Sequence, residues 1–518
     1  MKKFTLNALL LALFTFTNTP LQAQEPTIQW QGSYGGSGND HAGSVQQLAN
    51  GTGYVICGYG SSTDGNLSGN HGLSDGYIAV IDTQSGYPVT MHQRVLGGSN
   101  GEEIYSVIQT SDGGFIATGY SYSTDGDVSN NYGYTDAWVV KMDNELTIEW
   151  EKSYTGPNIN GIGDSGYNIK QTTDGGYVIC GLTGSATGNS TDWWIFKIDS
   201  TGNLQWQNAI GGGDLETAFE IHQTTDGGYI VGGHTQSGSG DVTGFHGSFD
   251  IWVVKLSSIG AIEWQKALGG SGGDQAENVI PTADGGYLVA GITDSTDGDV
   301  SESLGNGDLW VVKLDSDGTI EWEKSYGGTG MDWAYTSLQA PDGNYYIGGF
   351  TNSTNGDVTG LHGSSDFWLL KIDQEGELLW QKTYGGSSLE IIEDMYLCND
   401  GSLVLVGWTM SSDGDVAYNH GNGDIWLVKL APEILSTPQI SKNTIGLYPN
   451  PNNGIFTIST DNLLEENASI NVYSTLGQLV YSGKVTSATV SVPNLATGMY
   501  QVQLLSGKIS YSQKLVIK

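Results

Sequence analysis

The chain has 518 residues, of which 78 are Gly, 38% are hydrophobic and 10% are aromatic. So much Gly beside so many aromatic residues is typical of an all-β protein with many tight turns and argues against disorder. The 56 acidic residues outnumber the 19 basic ones, which gives a formal net charge of −37. Phosphate binding needs a basic surface, so a nucleic-acid partner is disfavoured, as is an anionic membrane surface.

The first 23 residues have the pattern of a secretory signal peptide. Lys2 and Lys3 precede an apolar run, and Leu21-Gln22-Ala23 forms a small-residue cleavage site. The apolar run is too short for a membrane anchor, and no later segment is apolar enough to span a bilayer. The sequence therefore predicts Sec export and no transmembrane segment.

Residues 24–430 repeat a unit of four short β-type runs. The copy from Ala283 to Gly330 contains YLVAGIT, LWVVKLD and IEWEKSYGG, and AENVIPT precedes it. The aromatic residue of its D-x-W motif recurs at steps of 61, 56, 58, 58, 58 and 58 residues, at Tyr77, Trp138, Trp194, Trp252, Trp310, Trp368 and Trp426. Four strands at such a period are typical of a β-propeller blade. Seven units predict an all-β, seven-bladed propeller.

The two ends of the repeat complete each other. The last unit stops after the Trp426 strand and lacks the W-x-K-x-Y-G-G run that ends the other units. A run of that type stands instead near the N-terminus, from Ile28 to Gly36, with Trp30 as its tryptophan. We predict that this run forms the outer strand of the seventh blade, which closes the ring and removes an exposed sheet edge.

Antiparallel alternation places the connections between strands on two faces. In the fifth unit the order from the axis outwards is AENVI, GYLVAGIT, LWVVKLD and IEWEKSY. The long loop STDGDVSESLGNGD and the Gly-rich connector YGGTGMD then open on one face, and the tight turns open on the other. Long loops on a rigid scaffold usually carry function, so we expect any site on the long-loop face.

One acidic residue precedes the innermost strand of every unit. We call these seven residues the ring acids: Asp40, Glu102, Asp164, Glu216, Asp274, Asp332 and Glu390. On one interpretation they line the mouth of the central channel and bind Ca²⁺. On the other, each accepts backbone N–H groups from its own Gly-rich connector. Their presence in all seven units favours the second interpretation, since a specific site normally breaks symmetry.

The long loops carry a second set of acids in the pattern [ST]-[DN]-G-[DN]-[VL]. We call its paired carboxylates the loop carboxylates: Asp125, Asp127, Asp297, Asp299, Asp413 and Asp415. Two carboxylates around a Gly are possible calcium ligands. The spacing differs from that of the EF-hand loop, and Asp-Gly is also favourable turn chemistry. Calcium is therefore one of two interpretations here, and no other cofactor is predicted.

The positions of the histidines and of the basic residues make some classes of function poor candidates. Four histidines share one loop position in different units, and a loop-bracing hydrogen bond is the role expected of them: His71, His246, His362 and His420. Nearly every Lys of the propeller occupies one of two repeat positions, and only Lys170 and Arg94 stand outside the repeat. Few cations are left to clamp a phosphate or carboxylate substrate, so nucleotide binding and phosphoryl transfer are poor candidates.

Aromatic residues in the loops are the first candidates for ligand contacts. Aromatic faces stack on sugars and pack against proteins. The residues predicted to be exposed in this way are Tyr132, Tyr134, Phe245, Trp333 and Tyr418. The tryptophans of the outer strands, such as Trp322, are expected to pack one blade against the next.

The C-terminal part differs in composition from the propeller. A linker at 431–442, APEILSTPQISK, leads into residues 443–518, which lose the repeat and carry five short strand-like runs. The pieces LYPNPNNGIFTI, INVYSTLGQLVYSG, VPNLATGMYQVQL and the terminal KLVIK resemble the type IX secretion system sorting domain of Bacteroidetes. The resemblance implies a small β-sandwich that engages the type IX machinery, carries a periplasmic precursor across the outer membrane and is commonly removed afterwards.

The repeats, with G-x-T-x-S, D-x-W-V-V-K-L and S-Y-G-G, look like the SBBP-type bacterial β-propeller family, which implies no particular reaction. Our leading hypothesis is a non-catalytic binding module, secreted or on the outer cell surface, for a glycan or a surface protein. One rival is an extracellular polysaccharide-degrading enzyme that uses two ring acids as acid and base. A passive structural surface protein is the third hypothesis.

Overall fold

The computed structural model describes residues 25–158, 162–186, 190–433, 446–459, 468–474, 478–485, 487–493, 495–506 and 509–518. Over these residues the regular structure is β-strand, apart from one 3₁₀ turn at Gly65–Leu67. The chain divides into two compact units, Ala23–Ile434 and Leu435–Lys518. The predicted signal peptide lies outside the described residues.

The first unit begins with strand β1 (Ile28–Tyr34), and six four-stranded antiparallel sheets follow, each made of four consecutive strands. The first three are β2 Asp40–Gln47, β3 Gly53–Gly60, β4 Asp75–Asp82 and β5 Val89–Leu96; β6 Glu102–Gln109, β7 Phe115–Ser121, β8 Asp136–Met142 and β9 Ile148–Tyr154; and β10 Ser165–Gln171, β11 Tyr177–Gly184, β12 Thr191–Ile198 and β13 Leu204–Ile210. The next three are β14 Glu216–Gln223, β15 Tyr229–Thr235, β16 Asp250–Leu256 and β17 Ile262–Leu268; β18 Asp274–Pro281, β19 Tyr287–Thr293, β20 Asp308–Leu314 and β21 Ile320–Tyr326; and β22 Asp332–Gln339, β23 Tyr345–Thr351, β24 Asp366–Ile372 and β25 Leu378–Tyr384.

The seventh sheet joins the two ends of the repeat. It contains β26 (Glu390–Leu397), β27 (Leu403–Thr409) and β28 (Asp424–Leu430), and β1 pairs antiparallel with β28 as its fourth strand. The first strand of each sheet contacts the first strand of the next, and β26 contacts β2. The sheets therefore close into a ring. This confirms the predicted all-β propeller, and the seven sheets are consistent with the seven predicted blades.

Aromatic residues fill the sheets and the spaces between them. The Trp of each D-x-W motif is fully buried, and its indole N–H donates to the outer strand, as from Trp310 to Glu323 at 2.7 Å. Four of the outer-strand tryptophans pack against a Tyr of the following sheet, with centroids 5.7 Å apart for Trp264 and Tyr287. Burying such side chains stabilises the fold by about 2–3 kcal/mol each. These contacts lock neighbouring blades together, as the sequence indicated.

The repeated lysines are also structural. Lys313 is buried, and its ammonium group lies 2.9 Å from both Asp284 and Glu321. Lys141 and Lys255 are paired in the same way with two acids. Because these ammonium groups are already paired with acids of the propeller, they are not available to bind an anionic ligand.

Residues 431–433, predicted to begin the linker, belong to the first unit and contact the rest of it. The Ala431 N–H donates to the carbonyl oxygen of Thr27 at 2.8 Å. The Glu433 carboxylate accepts a hydrogen bond from the Lys371 ammonium and another from the Trp380 indole N–H, each at 2.5 Å. The segment therefore adds a C-terminal contact to the propeller.

The second unit is a small β-sandwich. One sheet contains β29 (Gly446–Tyr448), β30 (Ile455–Ser459) and β33 (Thr489–Ser491), and the other has the order β32 (Leu479–Lys484), β31 (Ser469–Ser474), β34 (Gly498–Ser506) and β35 (Ile509–Ile517). Its core is made of apolar side chains that alternate along these strands: Phe456, Ile458, Ile470, Val472, Val502, Leu504 and Leu515.

Candidate functional site

The ring acids do not line the channel mouth with free carboxylates. Each is buried and accepts the N–H of the second Gly of its own connector, or of Gly156 in the third sheet, at 2.7–3.0 Å. Asp332 also accepts hydroxyl groups of Thr351 and Ser353. Burial raises the pKa of Asp332 and of Glu390. The channel-mouth expectation is therefore wrong, because the connectors wrap around these side chains.

The loop carboxylates bind the same connectors from the other side. Asp297 accepts the N–H of Ser271 at 2.7 Å, and Asp299 accepts that of Gly269 at 3.2 Å. Asp125, Asp413 and Asp415 make the equivalent contacts. Asp127 differs, because it also pairs with Arg94 at 2.9 Å. These hydrogen bonds hold each long loop against its connector. The carboxylate oxygens that a cation would need as ligands already accept N–H groups.

The four repeated histidines brace loops, as the sequence indicated. Each donates its backbone N–H to the buried Asp of its own D-x-W motif and places Nδ1 beside the same oxygen, as in His420 and Asp424 at 2.6 Å. The other three pairs have Nδ1 to oxygen distances of 2.7–2.9 Å. Over the described residues, no group of three or more His, Cys, Asp or Glu side chains converges on a point that a metal ion would occupy.

The predicted loop aromatics fall into two groups. Tyr132, Tyr134 and Tyr418 are exposed, with relative accessibilities of 68%, 67% and 48%. Phe245 is half-buried and packs against the core of the fourth sheet. Trp333 lies on the inner strand β22, not in a loop, and its ring packs near Tyr335 with centroids 5.5 Å apart. The expectation that Trp333 is an exposed loop residue is therefore wrong.

A cavity of about 830 Å³ occupies the axis of the propeller, and we call it the channel. All seven inner strands line it, from His41 and Tyr59 at the long-loop end to Gln339 and Tyr396 near the tight turns. No feature singled out from the sequence, apart from Lys170, belongs to this lining.

A β-bulge in every inner strand determines which side chains enter the channel. The register with the second strand shifts between Ile104 and Ser106 in β6, for example, and shifts at the equivalent place in the other six. A bulge leaves one residue outside the ladder and re-aims its side chain. We call these the bulge residues: Gly43, Tyr105, Tyr167, Phe219, Glu277, Tyr335 and Glu393.

The bulge residues of three consecutive sheets form an aromatic arc. The rings of Tyr105 and Tyr167 have centroids 5.0 Å apart, and those of Tyr167 and Phe219 are 5.2 Å apart. Tyr59 extends the arc to the first sheet, with 5.8 Å to Tyr105. Burial raises the pKa of Tyr167 to about 12, so its hydroxyl stays neutral. The arc is a concave apolar wall with phenolic hydroxyl groups along it.

Two carboxyl groups stand in the remaining part of the wall. Glu277 and Glu393 are bulge residues on the fifth and seventh sheets, and Tyr335 lies on the sheet between them. Neither carboxyl makes a hydrogen bond or an ion pair within the described part of the chain. Burial raises the pKa of Glu277 to about 8, and burial together with the Glu277 charge raises that of Glu393 to about 8. Part of each side chain remains open to the channel.

A charged cluster lies deeper in the channel, towards the tight turns. The Lys170 ammonium and the His222 Nε2 atom each lie 2.8 Å from Oε1 of Glu220, and Asn168 donates to Oε2 at 2.8 Å. Burial is the largest single influence and acts to raise the pKa of Glu220, but Lys170 and His222 together outweigh it and the pKa is lowered. Burial lowers the pKa of His222, and the Lys170 charge adds to that effect. Glu220 is thus an anion with all its oxygens engaged.

The repeat contains a signal for the channel site, but at the bulge position and not at the ring acids. The ring acids recur in all seven units, whereas the bulge residue changes from Gly to Tyr, Phe or Glu between units. A position that varies among otherwise repeated blades is where a symmetric scaffold acquires a specific site. Lys170, which stands outside the repeat, belongs to the same channel.

The comparisons with known proteins concern the two units separately. Residues 446–518 match the secretion system C-terminal sorting domain, which indicates export by the type IX secretion system to the cell surface or beyond. No curated protein is significantly similar to the chain. No helix in the described part of the chain is long and apolar enough to cross a membrane.

Two similar solved structures are propellers. The WD40 domain of Neurospora crassa Pan2 is 9% identical with a TM-score of 0.42, over 79% of this chain and 96% of that chain. The β-propeller domain of the Trilobed protease from Pyrococcus furiosus is 10% identical with a TM-score of 0.36, over 78% of this chain and 94% of that chain. These similarities concern the fold alone.

Proposed function

We propose that this protein is a non-catalytic binding module, secreted or held at the outer cell surface, whose ligand enters the channel. Its signal peptide would direct Sec export before the sorting domain engages the type IX machinery. The proposal also includes two finer assignments: that the repeats are of the SBBP type, and that the protein comes from Bacteroidetes. The observation that carries it is the broken symmetry of the bulge residues, which places an aromatic arc beside two unpaired carboxyl groups in an otherwise repeated scaffold.

A glycan is the ligand class that these groups fit best. Aromatic faces stack on the apolar faces of sugar rings, while carboxyl and phenol groups exchange hydrogen bonds with sugar hydroxyls. The channel has the size and the mixed lining of a small-molecule site. An anionic ligand is disfavoured because Lys170 is already paired with Glu220. The exposed Tyr132, Tyr134 and Tyr418 would extend the contact surface to a longer ligand on the long-loop face.

The second candidate is a polysaccharide-degrading enzyme that uses Glu277 and Glu393. Acid–base catalysis needs two carboxyl groups whose pKa values suit opposite roles. A carboxyl with a pKa near 8 is protonated at neutral pH and suits a general acid, and this favours the candidate. Because both values are raised to about the same level, no unlike pair is formed, so the binding module remains the first proposal.

One experiment separates these functions. The purified protein is incubated with a panel of immobilised and soluble polysaccharides, and both retention and release of soluble fragments are measured. Retention without fragments supports a binding module, and fragments that disappear in Glu277→Gln or Glu393→Gln support the enzyme. If the protein is not retained and no fragments are released, the glycan-binding module and the enzyme are both rejected, and a protein ligand or a structural role is left.

A further inference from the structure

Two of the ionisable groups that line the channel have no partner. Five acids line it or stand at its long-loop end: Glu103, Glu220, Glu277, Glu393 and Asp394. Glu103 accepts the Tyr105 hydroxyl at 2.5 Å and Asp394 accepts the Val45 N–H at 2.9 Å, but Glu277 and Glu393 have no partner within the described residues. Lys170, the one lysine of the described lining, lies against Glu220, as does the imidazole of His222. The Glu277 and Glu393 carboxyl groups are therefore left without a basic partner in the channel wall.

The groups around this pair suit one kind of counter-charge. Tyr335 lies on the strand between Glu277 and Glu393, and the Tyr167–Phe219 part of the aromatic arc lines the same channel. An aromatic face attracts an ammonium group within about 6 Å of the ring centre, most strongly where water is excluded. Calcium is a poorer fit, because it takes six to eight oxygen ligands and the pair offers two carboxyl groups.

We propose that the ligand carries an organic cation, an ammonium group, and that this group enters the channel. There it binds between Glu277 and Glu393 and is covered by aromatic rings. This inference rests on the proposed function and specifies the ligand: a glycan that carries an amino or alkylammonium group. The same chemistry explains why the lining combines acids with aromatic residues and leaves its one lysine already paired.

The protonation of the pair gives the inference a second consequence. The pKa values near 8 mean that both carboxyls are largely neutral at pH 7 in the free protein. A cation binds the ionised form better, so its binding lowers both pKa values and releases protons. Affinity for a cation of fixed charge must then rise with pH. The other titratable groups that interact with the pair are Asp394, Tyr59, Tyr167 and Tyr335. Glu103, Lys170, Glu220 and His222 lie elsewhere along the channel.

The test uses choline, whose charge does not change with pH, and its neutral isostere 3,3-dimethylbutan-1-ol. Titration calorimetry on the full chain should show choline binding that the isostere lacks and that strengthens at least about tenfold from pH 6 to pH 9. Glu277→Gln and Glu393→Gln should each weaken choline at least about tenfold, while Tyr87→Ala, in an exposed turn, should leave it unchanged.

The polysaccharide panel, repeated with choline as competitor, separates failure of this inference from failure of the proposed function. A polysaccharide that is retained and displaced by choline supports both. Retention that choline does not affect, or equal binding of choline and its isostere, overturns the cation inference and leaves the binding module standing. No retention of any polysaccharide and no choline binding overturns both.

Discussion

The ammonium of Lys170 lies 2.8 Å from Oε1 of Glu220, across the boundary between the inner strands of the third and fourth sheets. Glu220 also accepts Asn168 and lies beside His222. Asn168 and Glu220 occupy equivalent positions of β10 and β14, as do Lys170 and His222, but the residue types differ between units, so the cluster is a local departure from the symmetry of the scaffold. Burial is the largest single influence and acts to lower the pKa of Lys170, but the charge and hydrogen bond of Glu220, together with the Asp394 charge, outweigh it and the pKa is raised.

Replacing Lys170 by Met should therefore destabilise the propeller by about 1–3 kcal/mol, since it leaves the Glu220 carboxylate without its cation. Lys266, which is exposed and outside the channel, provides the matched control. Lys266→Met should change the free energy of unfolding by no more than about 0.5 kcal/mol. Denaturant unfolding of both variants measures the difference, and equal stabilities would show that the pair is not structural.

The ring acids should behave as structural residues. Asp332→Ala removes the acceptor for the Gly328 N–H of the connector and for the buried hydroxyl groups of Thr351 and Ser353. We expect a loss of about 2–4 kcal/mol in the free energy of unfolding, because the donors are left unsatisfied. Glu302→Ala, at an exposed loop position, is the control and should be nearly neutral. A loss for Asp332→Ala no larger than that of the control would contradict this role.

Removal of calcium should have no effect on stability. The oxygens of the ring acids and loop carboxylates accept N–H, hydroxyl or guanidinium groups, such as Ser271 N–H on Asp297 at 2.7 Å. The expected result is an unchanged melting temperature when a chelator is added to the purified protein. A fall that is reversed by added Ca²⁺ but not by Mg²⁺ would establish a calcium site and reinstate the alternative interpretation of the loops.

Stability should depend on pH through the channel carboxyls. Glu277 and Glu393 have pKa values raised from 4.5 to about 8, so the folded protein holds protons that the unfolded chain releases above pH 4.5. Their contribution to stability is fully present below about pH 4.5 and is lost as pH rises through 8. The melting temperature should therefore fall more between pH 5 and pH 9 in the wild type than in the Glu277→Gln, Glu393→Gln double variant. Parallel curves would show that neither carboxyl titrates differently in the fold.

Much of the fold could be predicted from the sequence, because the repeated motifs mark the strands of each blade. The D-x-W spacing predicted the sheets, and the displaced Trp30 run predicted the closing strand. The same periodicity made the ring acids prominent, although their uniformity reflects a shared connector. Trp333 was placed in a loop because the start of an inner strand and the end of a connector look alike in sequence.

The channel was harder to predict, since a bulge is not visible in a pattern of apolar alternation. Without the bulge, Tyr105 would lie in register with the ladder; with it, the ring joins Tyr167 and Phe219 in the lining. Glu277 and Glu393 lie far apart in the chain, and the packing of three successive inner strands, β18, β22 and β26, brings both into the lining. Variation among aligned repeats is the signal that would have located these residues.

The most direct test of the account is the affinity of the channel variants for a polysaccharide that the wild type retains. Tyr167→Ala should weaken binding at least about tenfold, a loss of roughly 1.4 kcal/mol, with a melting temperature close to that of the wild type. Tyr87→Ala, in an exposed turn, should bind as the wild type does. Unchanged affinity in Tyr167→Ala, together with a loss in Tyr132→Ala, would move the site from the channel to the loops and contradict the central claim.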